Sequence, residues 1–93
     1  MLQLPAVLTH QIATACAAEL GAAVRASTGA MVVADASALQ SFDSSALAVL
    51  LAGRREAEAA GKTFAVSGLP ERLRALAGLY GVASLIPVAP AAA

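Results

Sequence analysis

Asp43, Ser44 and Ser45 stand side by side near the middle of the chain. With His10 and Cys16 they are the side chains whose chemistry could amount to a site. A serine nucleophile needs a base within hydrogen-bond reach, yet the only histidine, His10, opens a different helix. The sequence carries no Gly-x-Ser-x-Gly elbow, no glycine-rich phosphate loop ending in Lys and Ser or Thr, and no spacing of metal ligands. Neither catalysis, nor a cofactor, nor a metal is therefore expected. What the grouping does suit is a helix start, because Asp and Ser side chains accept hydrogen bonds from the free amides of a first turn. His10 is expected at a surface or first-turn position, and Cys16, within an apolar helical periodicity, as a small core residue.

The elements around this triplet follow from the apolar pattern. Behind Ser45 comes an unbroken apolar run, Ala46 to Ala52, rich in strong helix formers. The spacing predicts a helix from about Ser44 to Ala60, stopped by Gly61. Its Leu47, Leu50, Leu51 and Arg54 lie on one side, while Ala46, Val49, Ala52 and Gly53 keep the other side small and apolar. A helix apolar all round is either buried on every side or shared with another protein. Upstream, Ala30 to Asp35 reads as a buried strand with a loop from Ala36 to Phe42. Leu2 to Leu8, broken by Pro5, suits an edge strand or a strand end. Thr9 could cap a helix running to Arg25, with Ile12, Cys16, Leu20 and Val24 at helical spacing. Thr63 to Ser67 reads as the next strand, and Gly68-Leu69-Pro70 opens a third helix with an apolar stripe of Leu73, Leu76, Ala77 and Tyr80. Val82 to Ile86 is expected as a last short strand, and Val88 to Ala93 as a frayed tail. This alternation implies one α/β domain over residues 1–93, with a mostly parallel sheet and helices packed on it.

Composition narrows the classes of partner. Six acids balance six bases, which leaves no electrostatic footprint for nucleic acid or an anionic membrane. Phe42, Phe64 and Tyr80 are the only aromatics, too few for a base-stacking surface. A single cysteine excludes an internal disulfide and fits a reducing compartment. The N-terminal stretch lacks a basic n-region and is interrupted by Thr9, His10, Gln11 and Thr14, so no signal peptide is expected. No stretch approaches the roughly 20 apolar residues of a membrane span. A cytosolic location is expected, with apolar surface left over for a partner to cover.

Asp35-Ala-Ser37-Ala-Leu39, three residues, then Asp43-Ser44-Ser45-Ala46-Leu47-Ala48-Val49-Leu50-Leu51 resembles the signature of STAS domains, the sulfate-transporter and anti-sigma-factor-antagonist modules. Gly61-Lys62 and Leu69-Pro70-Glu71-Arg72-Leu73 extend the likeness over essentially the whole chain. The resemblance implies a small sheet with helices mainly on one face. It also implies two branches of function. In anti-sigma-factor antagonists the hydroxyl directly after the Asp is phosphorylated by a partner kinase, and Ser44 holds that place. In MlaB-type proteins the same position faces the ATPase subunit of the Mla phospholipid-transport ABC complex. The short chain, the reduced N-terminal strand region and the segments Leu47 to Arg55 and Leu69 to Val82 are similar to the second branch. Ala46 stands where the family often has Gly, which makes the loop less permissive to a kinase.

On that resemblance the expected docking surface comprises Gln40, Ser41, Phe42, Asp43, Ser44, Ser45, Leu47, Ala48 and Leu51, with Ser44 the candidate phosphoacceptor. The expected role is a non-enzymatic adaptor, held at the inner membrane through the nucleotide-binding subunit of an ABC phospholipid transporter. The alternative is an anti-sigma-factor antagonist switched by phosphorylation of Ser44. A third class is a self-associating scaffold that uses the second helix for homodimer contact. For individual residues a plainer role competes with docking. Asp43 and Ser44 could serve only as caps, Phe42 could plug the core beneath the loop, and Arg54 and Arg55 could each pair with Glu58 at helical spacing.

Overall fold

A computed structural model of the chain describes residues 2–88. The strands are β1 (Leu2–Gln3), β2 (Val7–Leu8), β3 (Met31–Asp35), β4 (Ser41–Phe42) and β5 (Thr63–Ser67). The helices are α1 (Ala13–Ala26), α2 (Ser45–Ala59) and α3 (Glu71–Leu79), and a short 3-10 turn follows at Ala83–Leu85. All pairing is parallel. β1, β3 and β5 form the main sheet in that order, and β2 and β4 form a separate two-stranded ladder.

Alternation along β3 and β5 sends Val32, Ala34, Phe64 and Val66 to one face. There they join Leu20 and Val24 of α1, Ala46, Val49, Leu50 and Ala57 of α2, and Leu73 and Ala77 of α3 in one core. The helices thus cover this face of the sheet, as the α/β reading requires. The close approach of α1 and α2 depends on Gly53, because a Cβ there would stand 2.6 Å from the Leu20 Cδ2 and 3.1 Å from the Phe64 Cζ. Lys62 ties the turn after α2 to the end of α1, its ammonium donating to the carbonyl oxygens of Val24 and Ser27.

The edge-strand reading of Leu2 to Leu8 holds for β1, at the rim of the main sheet, and needs one refinement; two other local readings need correction. Pro5 does break the N-terminal strand, but its halves pair differently, β1 with β3 and β2 with β4. Thr9 does not cap α1 with its side chain. Its carbonyl instead accepts the Ile12 N–H at 3.1 Å in a turn, and the helix starts at Ala13. Val82 to Ile86 is not a strand but contains the 3-10 turn, closed by Leu85 N–H to the Val82 carbonyl at 2.9 Å. Strand-like pairing begins only at Pro87, whose carbonyl accepts the Val66 N–H at 2.8 Å, and Val88 then bridges Val66. Proline has no N–H to place in a ladder, so pairing starts from its carbonyl. Val88 is therefore held, and the remainder of the expected tail, 89–93, lies outside the described residues.

Candidate functional site

The β2–β4 register sets the geometry of the triplet. It pairs Leu8 with Phe42, so the residues that follow each strand emerge side by side. Asp43 Oδ2 accepts the His10 backbone N–H at 3.0 Å, and Oδ1 accepts the Ser45 N–H at 2.9 Å. The two amides, His10 first and Ser45 second, hold the Asp43 carboxyl below its ordinary pKa. Asp43 is therefore the group that caps α2, and it also anchors the turn leading into α1. Asp35 makes a similar local bond, Oδ1 accepting the Ser37 N–H at 2.9 Å; the Ser37 hydroxyl and then its amide lower the Asp35 pKa.

Capping by Asp43 leaves the next residue unoccupied. Ser44 is exposed, and its hydroxyl makes no capping bond to the first turn. It opens a groove of about 230 Å³ lined by Ser44, Leu47, Ala48 and Leu51 of α2 together with Tyr80 and Val82. Apart from the Ser44 hydroxyl and the Tyr80 phenol, these side chains are apolar. Leu47 forms the floor, at 4% exposure a member of the core, whereas Leu51 is half-buried and Ala48 is exposed. An apolar α2 is thus part buried and part open, with the open part at its N-terminal half.

Gln40 and Ser41 are exposed but do not line the groove. Their amides both donate to the Ala6 carbonyl, at 2.8 and 3.1 Å, which fixes the loop to the N-terminal segment. Phe42 is half-buried and packs against the core, with the Arg72 guanidinium 5.0 Å from its ring centroid. Arg54 pairs with Glu58 at 3.4 Å, while Arg55 forms no ion pair among the described residues. His10 is exposed as expected. Cys16 only packs against the edge of the core, and burial, then the charge of Glu19, push its thiol up, away from reactivity.

Helical spacing assigned Tyr80 to the core stripe of α3, and the structure corrects this. Leu73 and Ala77 are buried, but Tyr80 is 58% exposed and Leu79 is 80% exposed. Tyr80, at the C-terminal cap of α3, instead lines the groove together with Ser44, Ala48 and Val82. Tyr80 and Val82 are the groove residues that sequence periodicity did not indicate. A wider crevice of about 520 Å³ lies between β1 and α1, lined by Leu2 to Pro5 with Cys16, Glu19, Leu20 and Ala23. It holds no part of the triplet.

The sequence matches the family model described as "Mlab, STAS domain" over residues 1–87. This chain belongs to that STAS family. Such domains are generally non-catalytic protein-interaction modules. A comparison with curated proteins gave no match. The groove sits beside the Ser44 hydroxyl, directly after Asp43. Among the described residues no helix is long and apolar enough to cross a membrane, and no group of His, Cys, Asp and Glu is placed to hold a metal ion.

Proposed function

We propose that this chain is a non-enzymatic adaptor of the MlaB type, which binds the nucleotide-binding subunit of an ABC phospholipid transporter on the cytoplasmic side of the inner membrane. The observation that supports this reading most is the open apolar groove beside Ser44, at the helix start where MlaB-type proteins meet their ATPase. Binding one arrangement of the ATPase better than another biases its assembly and turnover by the difference in affinity, with no contact to ATP. Phe42, Ser44, Ala48, Leu51 and Tyr80 form the contact, with Leu47 supporting it from beneath. Co-expression with the ATPase and permease subunits tests the reading. The wild type is retained on the ATPase, and Ala48→Glu, which fills the groove with a charged side chain at an exposed position, is lost from it. Equal retention of the two sinks the docking surface.

The free Ser44 hydroxyl favours one second reading, an anti-sigma-factor antagonist. A phosphate there would add roughly −1.5 to −2 charge at the positive end of α2, which the helix tolerates and an apolar partner does not. Incubation with a cognate anti-sigma-factor kinase and ATP, followed by mass spectrometry, decides it; the absence of phosphate on Ser44 removes this reading.

A further inference from the structure

The groove has a charged margin that its apolar lining does not disclose. Along α2, Ser44, Ala48, Leu51 and Arg55 recur at i, i+4, i+7 and i+11, the spacing of one helix face. The first three line the groove, and the exposed Arg55 continues the row one turn further. Ahead of Ser44, the exposed Arg72 lies over the Phe42 ring at 5.0 Å. The acids of this region are already engaged: Asp43 by two backbone amides, and Glu58 by Arg54. Glu71 sits in the first turn of α3, where the positive helix end favours it. Arg55, Arg72 and Arg74 form no ion pair among the described residues; of these, Arg55 continues the groove row of α2 and Arg72 lies over Phe42, two residues ahead of Ser44, so these two are placed to offer donors at the groove.

Size narrows the occupant further. At about 230 Å³ the groove lies below the ~300–1,000 Å³ of small-molecule pockets. A cleft of that size admits a few apolar side chains, as from a helix laid across it. We infer that the occupant is an amphipathic helix of the partner, whose apolar ridge enters the groove and whose flanking Asp or Glu residues meet Arg55 and Arg72. This rests on the docking surface proposed above and adds the chemistry of what docks there.

The two can fail separately in one experiment. The affinity of this protein for the ABC ATPase subunit is measured by calorimetry at low and high salt, for the wild type, for Ala48→Glu, and for Arg55→Glu with Arg72→Glu together. Ala48→Glu removes binding. The double reversal weakens it about tenfold or more at low salt and flattens its salt dependence. Arg55→Gln with Arg72→Gln weakens it less, and serves in place of the reversal should that variant melt early. Loss with Ala48→Glu but unchanged or tighter binding by both arginine pairs overturns the acidic helix and leaves the docking surface standing. Unchanged binding by Ala48→Glu overturns both. Sedimentation of the protein alone as a dimer that Ala48→Glu makes monomeric assigns the groove to a second copy, and the inference falls.

Discussion

Asp43 holds His10 across the seam between the N-terminal segment and α2, through a 3.0 Å bond from the His10 backbone N–H to Oδ2. The same carboxylate caps α2 through Ser45, so one side chain sets both the lead-in to α1 and the first turn that presents Ser44. Asp43→Asn keeps one acceptor and turns an amide N–H₂ toward the His10 or the Ser45 N–H. It is expected to lower the thermal midpoint by a few degrees at neutral pH. The pH dependence has a definite sign. Backbone donors lower the folded pKa, so the contribution is complete above the unfolded value near ~3.9 and is lost as pH falls through the lowered folded value. The gap between wild type and Asp43→Asn should therefore begin to narrow below about pH 4 and close only once the pH is below the lowered folded value. Thermal melts across the acid range check it, and a gap that persists there contradicts the assignment.

Two glycines in helices should respond in opposite ways to alanine. Gly53 faces Leu20 and Phe64, with atoms as near as 2.6 Å to a built Cβ. Overpacking of that kind costs about 1–3 kcal/mol and exceeds the helix-propensity gain of roughly 0.8–1 kcal/mol, so Gly53→Ala is expected to be destabilising. Gly78 has nothing within 4 Å of its Cβ position and a helical backbone, so Gly78→Ala should gain roughly 0.5–1 kcal/mol. Urea titration of both variants gives the comparison.

The fold was largely legible because its signals are local. The bounds of β5 follow from Thr63 to Ser67 between Gly61 and Gly68, and the start of α2 from the step between Asp43 and the apolar run. Asp43 as a cap was legible for the same reason, but its bond to His10 was not, since only the β2–β4 register brings position 43 to position 10. The groove was half legible. The surplus apolar surface of α2 pointed to its α2 wall, whereas helical spacing placed Tyr80 in the core. Spacing reports which residues share a face and not how far the core extends beneath that face. Val82 to Ile86 failed for a related reason, since β-branched composition cannot say that Pro87 delays the pairing by several residues.

Neighbouring positions on α2 should separate folding from docking. Leu47 is 4% exposed and lies in the core, so Leu47→Asp buries a carboxylate and is expected to cost about 3–5 kcal/mol, a large part of a small domain's stability. Leu50→Ala, at a fully buried site, should cost about 2–5 kcal/mol. Ala48→Glu, one residue from Leu47 but exposed, should stay within about 0.5 kcal/mol of wild type. Denaturant midpoints establish the order. A large loss with Ala48→Glu would mean that the groove is closed in solution, and the variant would no longer report on docking alone.

Lys62 provides the last test, because it stabilises α1 from outside that helix. Its ammonium donates to the carbonyl oxygens of Val24, at 3.0 Å, and Ser27 at the end of α1, where the Val24 carbonyl also accepts the Ser27 N–H at 3.2 Å and continuing helical donors are lacking. A positive group there also complements the negative end of the helix. The side chain is half-buried, so salt screens this contact less than an exposed pair. Lys62→Met keeps most of the aliphatic stem and removes the donors. It is expected to cost about 1–2 kcal/mol, the usual range for hydrogen bonds to a charged group reduced by partial solvent access. Location distinguishes capping from general packing. Hydrogen exchange should accelerate in the last turn of α1, around Val24 to Ser27, while the first turn near Ala13 and the β5 amides keep their relative protection. A uniform rise across the molecule would show that Lys62 contributes through overall stability rather than by closing the end of this helix.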